Sequence, residues 1–200
     1  MQLNRYRMHN GRLPFMPLFW AGMLLGIITM NLGKSILLEN TGLLDEYTLY
    51  HMKYMTVDSS ALFYYVLGLR MKNFLLLAVL ATTYLGMAVC VGTTLWYGFS
   101  VGAFLAALMI RYSLKGIIFA ILSIFPQGIF YIPAMAILLL WCEQLNRGIY
   151  FKNGFAEEEG ELAFGRKILQ LVLILGIMLL GCLAESFVNP GIMSWLLKYF

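Results

Sequence analysis

The chain has 200 residues, of which 61% are hydrophobic and only 12% charged, and its mean hydropathy is +0.79. Soluble domains carry about 25% charged residues, so this chain has too little polar surface for a water-soluble fold and is expected to be an integral membrane protein. A net charge of +4 and an isoelectric point near 9.0 do not indicate nucleic acid, because the 14 basic residues stand singly at segment ends instead of massing on one face.

Charge-free runs locate the membrane spans, since about 20 apolar residues cross the hydrocarbon core. The first, LPFMPLFWAGMLLGIITMNLG, lies between Arg12 and Lys34 and predicts a span over 13–33. It is too long for a signal-peptide core and lacks a small-x-small exit, so it is expected to stay as a helix. The loop 34–72 contains LLDEYTLYHMKYM, with Tyr47, Tyr50 and Tyr54 at helical spacing, then Asp58-Ser59-Ser60, an N-cap signal for ALFYYVLGLRMK. Tyrosine-rich helices suit the headgroup layer, which predicts an interfacial amphipathic helix before the second span. A helix lying over the bundle fits the same pattern.

The uncharged stretch from Asn73 to Ile110 would measure roughly 57 Å as one straight helix at about 1.5 Å per residue, nearly twice the core thickness. It is predicted to form two spans, 73–90 and 96–110, turning at Val91–Tyr97, where Gly92, Thr93, Thr94 and Gly98 interrupt the Leu/Ala pattern. The run GIIFAILSIFPQGIFYIPAMAILLLWC predicts a fourth span over 116–141. Pro126 and Pro133 remove two backbone donors from it and should kink or break it, leaving carbonyls to be satisfied inside the protein. In the loop 142–167, Asn153-Gly154 signals a turn, and Glu157, Glu158, Glu159 and Glu161 read as a solvated turn, poor ligands for a defined metal. A fifth span, 168–187, is closed by Glu185. The expected architecture is a single all-α, polytopic membrane domain over 1–200 with five transmembrane helices.

Chemistry is scarce. Gly98-Phe99-Ser100-Val101-Gly102 matches the G-x-S-x-G nucleophile elbow, but that motif needs a strand-to-helix turn with a histidine base. His9 and His51 lie in the tail and the first loop. The same residues read better as small-xxx-small, with Gly98 and Gly102 one turn apart so that two helices approach closely. Gly22-Met23-Leu24-Leu25-Gly26 repeats the device in the first span. Gly33-Lys34-Ser35 is not a phosphate loop, because Ile28 occupies the required glycine position. Cys90, Cys142 and Cys182 form an odd set that argues against a disulfide framework. No catalytic constellation, metal site or cofactor site is expected. Polar groups at membrane depth remain: Asn31, Gln127 and Glu185, the last read as a helix-end acid reaching water.

Lys and Arg divide evenly between the two sides. Arg5, Arg7, Arg12, Arg147, Lys152, Arg166 and Lys167 fall on one side, and Lys34, Lys53, Arg70, Lys72, Arg111, Lys115 and Lys198 on the other. The three arginines ahead of the first helix favour a cytoplasmic N-terminus.

The segment LKGIIFAILSIFPQGIFYIPAMAI (114–137) resembles a signature of the stage II sporulation protein M family: a basic-glycine pair, here Lys115-Gly116, an apolar helix, then Pro126-Gln127 and Pro133. Asn31, GFSVGAFLAALM (98–109) and Glu185 followed by Asn189-Pro190 are similar too. The resemblance implies a five-span protein of the cytoplasmic membrane, at the septal, engulfing membrane of the mother cell. It further implies a non-enzymatic anchor that recruits peptidoglycan-degrading enzymes, with stage II sporulation proteins D and P as partners. Besides these, the partners are the lipid bilayer and, as an option, further copies of the chain; nucleic acid is not one. The alternative is a small permease or transporter subunit with a polar path near Asn31, Gln127 and Glu185.

Overall fold

A computed structural model describes residues 13–34, 36, 58–150 and 160–196 of the chain. Among these the secondary structure is helical throughout: α1 (Phe15–Leu32), α2 (Ser59–Ala81), α3 (Gly86–Ile124), α4 (Gln127–Tyr150), α5 (Gly160–Leu183), a π-helical segment (Ala184–Val188) and α6 (Asn189–Leu196). Five helical stretches are long and apolar enough to cross a membrane, the last running from Gly165 to Leu196. The expectations for Tyr47, Tyr50, Tyr54, His9, His51, Asn153-Gly154 and the acidic cluster at 157–161 lie outside the described residues or side chains.

The second and third spans are displaced from their sequence-based positions. Asp58 does cap a helix, its carboxylate accepting from the backbone N–H of Ser60 at 2.9 Å and of Ala61 at 3.4 Å. That helix, however, runs on unbroken to Ala81, so the segment expected to lie in the headgroup layer is the first half of a span. The chain turns at 82–85, not at Val91–Tyr97. Thr93 and Thr94 do not break α3, because their hydroxyls donate to the carbonyls of Val89 and Cys90 at 2.6 and 2.7 Å and are satisfied within it. The real turn is held by α4. Asn146 Nδ2 donates to the carbonyls of Ala81 (3.2 Å) and Thr83 (2.7 Å), and the Tyr150 hydroxyl to that of Thr82 (2.9 Å). Carbonyls orphaned at the end of α2 thereby find partners without water.

α1 lies alongside the first arm of α3, parallel to it. A Cβ at Gly22 would collide with the Leu95 carbonyl and one at Gly26 with that of Phe99. Reciprocally, a Cβ at Gly98 would strike the Phe19 carbonyl and one at Gly102 that of Met23. Two small-xxx-small faces therefore interlock within one chain, and backbone-to-backbone approach replaces the hydrophobic drive that lipid cannot supply.

α3 doubles back. Ser113, at φ 52° and ψ −134°, has the backbone of a sharp reversal, which is strained for a residue with a side chain. Gly116 then rests on the backbone of Leu108, although eight residues of straight helix would separate the two by about 12 Å. The short arm, 114–124, packs Phe119 and Ala120 against Leu108 and against Leu196 of α6. The predicted fourth span is broken where Pro126 stands: α3 ends at Ile124, and α4 starts at Gln127. Pro133 sits inside α4, exposed.

The main core joins Phe74 and Leu77 of α2, Cys90 of α3, Leu138 and Cys142 of α4 and Ile174 of α5. The three cysteines are buried and free. The outside of the bundle is apolar, as in Trp20, Leu24 and Ile28 of α1, which suits a surface solvated by hydrocarbon.

Replacing Gly102 by Leu is expected to detach α1 and lower the melting temperature in detergent, by overpacking worth about 1–3 kcal/mol. Gly92→Leu, on the same helix but facing open space, should leave it unchanged. Equal behaviour of the two variants in a fluorescence melting scan would disprove the interlocked seam.

Candidate functional site

The polar centre of the protein joins α2 to the last span. Arg70 lies at the midpoint of α2, eleven residues from Ser59 and from Ala81, roughly 16 Å from each helix end at about 1.5 Å per residue. Its Nη2 meets Glu185 at 3.2 Å to Oε2 and 3.4 Å to Oε1. The guanidinium carbon lies 4.5 Å from the centroid of the Tyr131 ring, a cation–π contact. The Tyr131 hydroxyl reaches Cys182 Sγ at 3.4 Å, and Gly181 leaves the room that the ring fills. Phe63 packs on Phe187 beside the pair. An isolated charge at this depth would be costly, and pairing is what makes both tolerable.

Glu185 is not a helix-end acid. The helical run continues to Leu196, and Glu185 sits inside the π-helical segment, where the Asn189 N–H bonds to the Ala184 carbonyl. The wider turn inserts a residue into the helical register, a feature common at functional positions. Ser186 is fully buried in the same segment, and its hydroxyl has no partner among the described residues. Pro190 follows directly on this wider turn, within the continuous helical run.

A second polar group fastens the other end of the bundle. Glu143, 2% exposed, accepts through Oε1 from the Leu13 N–H at 2.9 Å and from Arg147 at 2.9 Å. It thus ties the start of α1 to the end of α4. Lys167 donates to Gln144, and Trp141 Nε1 donates to the Lys167 carbonyl at 3.1 Å, closing α5 onto α4.

The structure does not assemble Asn31, Gln127 and Glu185 into one site. Asn31 is exposed on α1 and donates to its own helix at Ile27 (2.8 Å). Gln127 donates to Ser123 at 3.4 Å, across the proline break, while its Oε1 is buried without a partner among the described residues. Lys115 is exposed; Gly116 is a packing position. Gly98 and Gly102 are covered by α1 and offer no free face. The Ser100 hydroxyl donates to the Trp96 carbonyl of its own helix at 2.9 Å. Arg70, Glu143 and Asn146 were missed by sequence reasoning. A second span beginning at Asn73 leaves Arg70 in the loop 34–72, whereas the helix capped by Asp58 and running unbroken to Ala81 puts it mid-span.

Arg70→Met should destabilise the protein by about 2 kcal/mol or more by stranding Glu185, the usual loss for a buried pair being reduced because Arg70 keeps 32% of its exposure. The double variant Arg70→Met/Glu185→Leu should recover much of that loss. Unfolding measurements on the full double-mutant cycle test this, and strictly additive effects would exclude the pair as a structural unit.

The family model described as stage II sporulation protein M matches residues 15–190, from the first residue of α1 to Pro190. Among curated proteins and among solved structures nothing matches the chain. With five helices able to cross a membrane and a match over nearly all of its length, the chain belongs to the stage II sporulation protein M family and is a multi-pass membrane protein of sporulation.

Proposed function

We propose that the chain is a non-catalytic membrane scaffold that anchors a peptidoglycan-degrading complex during engulfment. In this reading it holds wall hydrolases at the septal membrane of the mother cell, with stage II sporulation proteins D and P as the partners. Family membership supports the process. The observation that carries the mechanical role is the use of the two carboxylates described within the spans. Glu143 and Glu185 both join one helix to another, which suits a rigid platform better than a site of bond cleavage. The Ser100 hydroxyl, bonded to Trp96, is poorly placed as a nucleophile. Two breaks, at Ser113 and Pro126, shape a broken helix like those lining transport cavities. The permease reading has less support, because Asn31 bonds back to its own helix and the structure does not bring Asn31, Gln127 and Glu185 together into one polar path.

In sporulating cells, removal of the chain is expected to disperse fluorescent fusions of the two hydrolase-complex proteins from the septum to background. A Ser100→Ala chain should restore the septal focus completely. Normal focusing without the chain would overturn the scaffold reading.

A further inference from the structure

α2 carries a second charge, for which the described residues supply no partner. Lys72 is exposed, and among the described residues it has neither a hydrogen bond nor an ion pair. It stands nine residues from Ala81 and thirteen from Ser59, about 14 Å and 20 Å from the two helix ends at about 1.5 Å per residue. Side chains on a helix lean toward its N-terminus, here the more distant end, so a four-carbon stem does not carry the ammonium to either headgroup layer. Asn73 beside it is also exposed. A free ammonium in hydrocarbon is strongly unfavourable. This flank is therefore built to be covered by something other than lipid.

The neighbours describe the cover. Tyr65, Gly68, Lys72, Leu76 and Val79 follow one another at helical spacing, and all are exposed. Gly68 lies one turn from Lys72, and a Cβ there would meet nothing within 4 Å. An apolar stripe with a small residue next to its only cation fits another helix, which can approach closely at the glycine. A second copy of this chain is a poor occupant. Lys72 would face Lys72 across a symmetric contact, and the carboxylates described within its spans, Glu143 and Glu185, are already paired.

We propose that the outer stripe of α2 docks a transmembrane helix of a different protein, one that carries a carboxylate about halfway across the membrane to pair with Lys72. The proposal rests on the scaffold reading and names the chemistry by which a partner would be held. The test uses the full chain in phosphatidylcholine vesicles and single-span leucine helices with Glu, Leu or Lys at the centre, association being followed by energy transfer. The Glu-centred helix is expected to bind about tenfold more tightly than the Leu-centred one. Lys72→Met should abolish that preference, Lys72→Arg should keep it, and Lys72→Glu should transfer it to the Lys-centred helix. Gly68→Leu should weaken association without altering the melting temperature. Equal binding of the Glu- and Leu-centred helices, or a preference that survives Lys72→Met, overturns the proposal. The vesicles contain neither hydrolase-complex protein, so failure here leaves the septal-focus experiment to judge the scaffold reading independently.

Discussion

A bilayer offers no water to a polar group, and the architecture follows from the partners that such groups must find inside the chain. The pair Arg70–Glu185 is the clearest instance. An arginine at the midpoint of a span is admissible only with a counter-charge at the same depth, and this one comes from a helix 115 residues further along. The requirement fixes where α2 and the last span meet, and it is accompanied by a π-helical turn at Glu185. Tyr131 covers the guanidinium and brings α4 to the same point. Three helices thereby share one polar centre near mid-membrane, while Glu143 and Asn146 repeat the logic at the end where α1 begins and α2 stops.

Between these polar fastenings, close packing does the remaining work. Lipid is as apolar as leucine, so burying leucine against leucine gains little and contact area between backbones matters more. The four glycines of the α1–α3 seam follow from this, as does Gly116, which lets the short arm of α3 lie back on the long one. Both devices require glycine because the facing atom is a main-chain carbonyl, which cannot move aside as a side chain can. α1 has only Gly22 and Gly26 buried, so its place in the bundle depends on that seam and on the bond from Leu13 to Glu143.

The bundle presents a largely apolar surface. Most exposed side chains in the spans are apolar, and an exposed charge near the middle of one is informative because hydrocarbon cannot solvate it. Arg70 turns inward to an internal partner, whereas Lys72, two residues later and roughly 200° around the helix, turns outward to none that is described. One span thus carries charge on two faces of the same helix, one engaged within the bundle and the other exposed.

Membrane residence, an all-helical fold, five spans and the small-xxx-small faces were legible in the chain alone, because each depends on counting apolar or small residues along it. The Lys115-Gly116, Pro126-Gln127 and Pro133 signature likewise pointed to the family. Helix ends were not legible. Gly92, Thr93 and Thr94 look the same whether they end a helix or pack within one. The threonine hydroxyls at the true end, Thr82 and Thr83, bond back to their own helix just as those of Thr93 and Thr94 do. It is Asn146, reaching over from α4, that marks the turn. Nor could a one-dimensional reading pair Arg70 with Glu185, since hydropathy registers a charge as a break in a span and carries nothing about a partner 115 residues away. Local chemistry determined which segments enter the membrane; long-range pairing of buried polar groups decided where they turn and which faces they leave open.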